Sequence, residues 1–200
     1  MTEIKRLRWA VWLLVFLVSW AEAPWLWADS PTAQVKATVD RVVEILRDSR
    51  LQGEARAKAR RERLRLAIAP RFDFTEMAKR SLGSRWQRYA ERQSEFVPAF
   101  TEFMERAYVG QIESYKKEKI VYLRERVDTK FAEVDTQVIL SRGDEVPITY
   151  RLHRVGGDWK VYDVLIDHVS LVNNYRSQFH RILNSSSFDD LIRMLREKKI

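Results

Sequence analysis

The hydrophobic period of this chain changes twice, and that change limits the folds open to it more than any other feature. Val35, Val39, Val42 and Leu46 recur at helical spacing near the start. From residue 131 the spacing drops to two: Ala132, Val134, Thr136, Val138 and Leu140 alternate with Glu133, Asp135 and Gln137. Val146, Ile148, Tyr150 and Leu152 then alternate with Thr149, Arg151 and His153. After Ser170 a helical stripe returns in Leu171, Val172, Tyr175, Phe179, Ile182 and Leu183. A period near 3.6 buries one stripe of a helix, and a period of two buries one face of a strand. Helices and strands segregated in this way predict an α+β domain.

Four strands are predicted: Ile120 to Val127, Phe131 to Arg142, Val146 to Val155, and Trp159 to Val169. Gly143-Asp144 and Gly156-Gly157 suit hairpin turns, so the sheet is read as an antiparallel meander. The fourth segment is apolar on both faces, which predicts a central or doubly covered strand. A curled four-stranded sheet with the N-terminal and C-terminal helices across its concave face makes a cone. Its interior is either filled by side chains or left partly open as an apolar cavity.

The helices have recognisable punctuation. Ser30 is a cap and Pro31 a first helical residue. Gly53 stops the first helix. Glu54 to Ala69 forms a second, carrying Arg56, Lys58, Arg60, Arg61, Arg63 and Arg65, with Ala57, Leu64 and Ile68 on one face before Pro70. Asp73 and Glu76 have capping-box spacing, and that helix ends at Gly83. A long helix is predicted from Glu91 to Lys117, striped by Phe96, Phe100, Phe103 or Met104, Ala107, Tyr108 and Ile112, with Pro98 early within it. A short helix from Phe188 to Lys198 closes the chain.

The first segment reads as a leader. Lys5, Arg6 and Arg8 precede an apolar run from Trp9 to Trp20. Small residues follow in Ala21-Glu22-Ala23 and again around Ala28. This is the layout of a secretory signal peptide, residues 1–28, cleaved after Ala28 or Ala23. The run is shorter than the roughly 20 residues of a membrane span. Residues 29–200 then form one domain of a size that supports its own core. The net charge of +8 becomes +7 once three bases and two acids leave with the leader. Export disfavours nucleic acid, so the basic balance points to anionic lipid surfaces or acidic proteins. The chain has no cysteine, which excludes disulfides, thiolate metal sites and a thiol nucleophile.

No catalytic constellation is evident. Asp163 beside Tyr162 and near Tyr150, or Asp167 beside His168, could be cast as acid–base pairs. Strand neighbours point to opposite faces, so neither pair is expected to meet in one pocket. His153 and His180 lack carboxylates at ligand spacing. There is no glycine-rich phosphate loop and no nucleophile elbow. Catalytic residues, metal and cofactor are all expected to be none. The alternatives are an enzyme with a cone-shaped pocket, or a scaffold module.

Several runs carry a family resemblance. Residues 35–46, VKATVDRVVEIL, resemble the opening helix of MlaC proteins, also known as toluene-tolerance or ABC-transporter auxiliary components. Phe72-Asp73-Phe74-Thr75-Glu76-Met77-Ala78, followed by Leu82-Gly83 and Trp86, is similar to the next signature. Val146 to Leu152 and Gly157 to Val164 resemble the third and fourth strands. Val169-Ser170-Leu171-Val172 with Asn174 to Phe179 resembles the family's most recognisable stretch. The match runs in order over residues 33–198. His168 stands where the family often has Gly, and Tyr89-Ala90-Glu91 lacks a usual Pro. A hopanoid-associated sister group shares these motifs.

The resemblance implies a periplasmic carrier with its leader removed, a monomer, serving outer-membrane lipid asymmetry. It implies one phospholipid per chain with both tails buried. It also implies two partners: an inner-membrane ABC-transporter complex with a lipid-binding ring protein, and an outer-membrane lipoprotein–porin complex. Physical need agrees, because exposing hydrocarbon costs about 0.8 kcal/mol per CH₂, on the order of 20 kcal/mol or more for two long chains. The expected wall is Val134, Thr136, Val138, Ile148, Tyr150, Leu152, Val164 and Ile166 from the sheet, with Phe100, Phe103, Met104, Tyr108, Leu171 and Tyr175 from the helices. Periodicity alone favours an ordinary filled core. Arg151, Lys160 and Arg176 are expected at the mouth, where Arg suits phosphate. The basic helix from Arg56 to Arg71 could dock on an acidic partner or an anionic membrane, or simply face solvent.

Overall fold

A computed structural model describes residues 30–197 and 200. The leader therefore lies outside the described residues. The Ser30 hydroxyl accepts from the Ala33 amide and opens helix α1, Pro31–Arg47, with Pro31 in its first turn. Two short 3₁₀ turns, Ser49–Leu51 and Glu54–Arg56, lead into α2, Ala57–Ile68, which buries Ala57 and Leu64. Pro70 ends it in another 3₁₀ turn, Ala69–Arg71. Asp73 caps α3, Phe74–Leu82, by accepting from the Glu76 amide. Helix α4, Gln93–Glu113, accommodates Pro98 in its second turn. It starts two residues later and ends four residues earlier than its sequence predicts.

The sheet follows as β1, Lys119–Val127; β2, Phe131–Ile139; β3, Glu145–Val155; β4, Asp158–Ile166; and β5, Val169–Ser170. Neighbours in sequence are neighbours in space, and every pairing is antiparallel. Five strands replace the expected four. The expected run from Trp159 to Val169 breaks at Asp167 and His168, whose positive φ angles of 49° and 64° turn the chain back on itself. The second strand stops at Ile139 rather than Arg142, because Leu140 to Asp144 close the hairpin loop through Leu140 N–H to the Asp144 carbonyl at 2.8 Å. Helices α5, Leu171–Ser185, and α6, Phe188–Glu197, complete the fold.

Two main cores result. One is helical: Phe96, Phe100, Phe103 and Met104 of α4 pack with Met77 and Leu82 of α3, Tyr175 and Phe179 of α5, and Leu191 and Leu195 of α6. The other lies between sheet and α1: Val35 against Ala132, Val134, Leu152, Trp159, Val161 and Val164. Phe72 and Leu171 touch both. A small third cluster, Ile45, Leu51 and Leu64, joins α1 to α2. Helix α1 lies on β1 and β2, while α3 and α5 lean on β4.

Candidate functional site

Strand register arranges the inner face of the sheet in rows. Ala132, Leu152 and Val161 make one row, Val134, Tyr150 and Val164 the next, and Thr136, Ile148 and Ile166 the third. Val138 and Val146 follow. The first row is fully buried. In the second and third rows Val134, Thr136 and Val164 are buried, whereas Tyr150, Ile148 and Ile166 keep accessible surface. Val138 and Val146 are also partly accessible. Packing therefore loosens along the strands from the Leu152 end to the Val138 end, and the accessible surface on this face is apolar.

The expected wall residues divide accordingly. Phe100, Phe103, Met104 and Tyr175 sit inside the helical core, and Val134 and Leu152 are shut inside the sheet core. Val138, Ile148, Tyr150, Ile166, Tyr108 and Leu171 retain partial exposure. The Thr136 hydroxyl donates to the Ile148 carbonyl at 2.9 Å, leaving its methyl group for an apolar setting. Tyr122, absent from the sequence-based wall, is opposite Thr136 on β1 and joins the same cluster.

Electrostatics mark the same place. Burial pushes the Tyr150 phenol up to about 12 although its side chain keeps accessible surface. Burial also raises the Tyr122 phenol, with Tyr150 and Asp40 adding to the shift. Tyr108 is raised by burial and by its contact with Tyr175, hydroxyl to hydroxyl at 3.2 Å.

The basic residues expected at the mouth are placed differently from one another. Arg151 and Lys160 stand on the sheet face opposite Tyr150, as alternation requires. Arg151 pairs with Glu133 at 2.9 Å and with Asp163 at 3.6 Å. The Lys160 ammonium donates to the Pro70 carbonyl at 2.6 Å. Arg176 Nε donates to the Arg80 carbonyl at 2.7 Å and lies over Gly83, where a Cβ would meet it at 3.4 Å. The structure does not gather the three around the accessible apolar rows. On α2, Arg60 and Arg61 are held by Glu113 and Arg65 by Glu62, leaving Lys58 and Arg63, with Arg56 of the preceding turn, exposed.

One expectation about the strands needs correcting. Tyr162 and Asp163 do not point to opposite faces. Arg151 pairs with Asp163 and Leu152 with Val161, so Tyr162 is an extra, bulged residue. Both side chains look outward: Tyr162 packs on Phe131, His153 and Arg80, and Asp163 faces Arg151. Asp163 accepts from the Ser170 hydroxyl at 2.6 Å and the Val172 amide at 3.1 Å, so it braces the first turn of α5. His153 is likewise not alone, since Asp73 lies 3.0 Å from its Nε2. Among the described residues no group of three or more His, Asp or Glu is arranged to hold a metal ion.

Known proteins are similar to this chain in sequence and shape. A solved phospholipid-binding protein from Ralstonia solanacearum, in complex with a phospholipid, superimposes with a TM-score of 0.72 at 28% identity, covering 82% of this chain and 94% of that one. A toluene tolerance protein of Pseudomonas putida is 24% identical over 76% of this chain and 72% of its own length. The intermembrane phospholipid transport system binding protein MlaC of Haemophilus influenzae is 26% identical over 65% of this chain and 64% of its own. The sequence model described as MlaC protein matches residues 36–197, and the chain belongs to that family.

Proposed function

We propose that this chain is a periplasmic phospholipid carrier, exported with removal of its leader. The acyl tails lie in the hollow between the loosened end of the sheet and the helices, and the headgroup stays in water. The observation that carries this reading is the phospholipid held by a relative of the same shape and 28% identity. Apolar rows that stay accessible at Val138, Ile148 and Ile166 support it. So does Tyr150, which keeps accessible surface on this face while burial raises its phenol.

The shuttle role follows from cargo and family. A carrier of this kind shuttles lipid between an outer-membrane lipoprotein–porin complex and an inner-membrane ABC-transporter complex bearing a lipid-binding ring protein. Among the described residues no helix is long and apolar enough to cross a membrane. The exposed bases of α2 suit anionic surroundings. The reading is of a binding protein rather than an enzyme: the buried carboxylate of Asp163 is engaged by Ser170, Val172 and Arg151.

The test is direct. The mature protein is purified from its native host, extracted with organic solvent and analysed by mass spectrometry. About one phospholipid per chain is the expected result. A lipid-free protein that also fails to take up phospholipid from vesicles overturns the proposal.

A further inference from the structure

Two phenol hydroxyls stand in the apolar inner face of the sheet without a protein partner. Tyr122 Oη is closed off from solvent and makes no hydrogen bond. The Tyr150 hydroxyl makes none to any described residue either, but unlike Tyr122 Oη it is open to solvent. The pair sits on adjacent rows, Tyr122 opposite Thr136 and Tyr150 opposite Val134 and Val164. Other polar groups nearby are satisfied: Thr136 bonds the Ile148 carbonyl, and Tyr108 bonds Tyr175. Tyr115, farther along the chain, donates to the Glu118 carbonyl at 2.9 Å. A sealed, partnerless hydroxyl such as that of Tyr122 is destabilising, and Phe would fit the same space without that penalty; the Tyr150 hydroxyl stands open on the adjacent row. Such a pair is accounted for by an acceptor that arrives with the cargo.

The chemistry of that acceptor follows from the carrier reading, on which this inference rests. The tails of a diacyl lipid offer no acceptor, and its phosphate remains in water. Between them lie two ester carbonyls. We infer that Tyr122 and Tyr150 form a polar clasp that donates hydrogen bonds to the ester carbonyls of a diacyl lipid held in the hollow. The clasp sets specificity: ester-linked lipids gain both hydrogen bonds, while ether-linked lipids of the same length, or a polycyclic hydrocarbon such as a hopanoid core, gain neither.

The experiment offers the mature protein vesicles containing equal amounts of a diester phosphatidylglycerol and its diether analogue with identical chains. Native mass spectrometry separates the two bound species by mass. The unmodified protein is expected to carry the diester in about tenfold excess. The double variant Tyr122→Phe, Tyr150→Phe is expected to carry both lipids equally, with an unchanged circular dichroism spectrum. Equal loading by the unmodified protein, or a preference that persists in the double variant, overturns the clasp while leaving the carrier intact. Loading of neither lipid overturns the carrier reading together with the clasp. Should the double variant not fold, each single variant is expected to keep about a threefold preference. A full tenfold preference in both singles overturns the clasp.

Discussion

His153 Nε2 lies 3.0 Å from Asp73 Oδ2, tying the third strand to the cap of a helix 80 residues earlier. The other oxygen of the same carboxylate accepts from the Glu76 amide at 2.9 Å. The Asp73 amide itself donates to the Val161 carbonyl at 2.9 Å. Beside them the Arg80 guanidinium covers the Tyr162 ring at 4.0 Å. One residue thus starts a helix, fastens it to β4 and holds an imidazole. The helical core is thereby fixed to one side of the sheet.

Asp73→Ala is expected to lower stability by about 1–3 kcal/mol, since it removes a helix cap and a side-chain contact together. His153→Ala spares the cap, removes that contact together with the ring contact to Tyr162, and is expected to cost less. Urea unfolding with an unchanged m value measures both. A His153→Ala midpoint that falls as far as that of Asp73→Ala would overturn the cap as the larger contribution.

Asp163 is the second such strut. Its carboxylate is almost wholly buried and receives the Ser170 hydroxyl, the Val172 amide and the Arg151 guanidinium. Removing it leaves Arg151 facing only Glu133 and unsatisfies the first turn of α5. Asp163→Ala is expected to destabilise by about 3 kcal/mol or more. Asp163→Asn, which keeps an acceptor, is expected to lose less. Thermal unfolding of the two variants side by side makes the comparison, and equal losses would refute the strut.

Much of this was legible in the sequence, and the misses have physical causes. Alternation along Ala132 to Val138 and Val146 to Leu152 identified the inner face, because a half-buried antiparallel strand leaves a clean period of two. The bulge escaped it. Trp159 and Val161 are in one phase while Val164 and Ile166 are in the other, and such a slip is what one extra residue produces. Reading the segment as apolar on both faces hid the slip. The Asp73–His153 contact joins residues 80 apart, and no local pattern encodes that. The candidate mouth bases failed to converge because a strand residue beside an inward Tyr150 must face outward, as Arg151 does. Tyr122 was missed because β1 is an edge strand whose last five residues are exposed, which blurs its period. Its neighbour Leu123 is a second bulged residue.

Alkaline pH should weaken the fold through the same tyrosines. Burial raises the Tyr150 phenol from 10.0 to about 12, so the native state holds the neutral form more tightly than the unfolded chain does. Below pH 10 both states are protonated and this group confers no pH dependence. Between pH 10 and about 12 the unfolded chain ionises first, and stability falls as pH rises. Tyr122 and Tyr108 add to the effect in the same direction. Chemical denaturation at a series of alkaline pH values should show this decline, shallower in Tyr150→Phe. An identical slope in that variant would place the Tyr150 ring in contact with bulk water.

Filling the hollow is expected to separate binding from folding. Val138 and Ile148 lie on the loosened rows of the inner face and keep accessible surface, so a larger side chain there has room to occupy. Val134 and Leu152, on the tight rows, are fully enclosed, and enlarging either would overpack a closed core at a cost of about 1–3 kcal/mol or more. Val138→Trp and Ile148→Trp should therefore melt within a few degrees of the unmodified protein, while Leu152→Trp melts much lower. The first two should also lose retained phospholipid, because the indole takes the volume that acyl chains need. Lipid extraction and mass spectrometry on each purified variant give the readout. Full lipid retention in both Val138→Trp and Ile148→Trp would show that the tails do not enter against this face of the sheet.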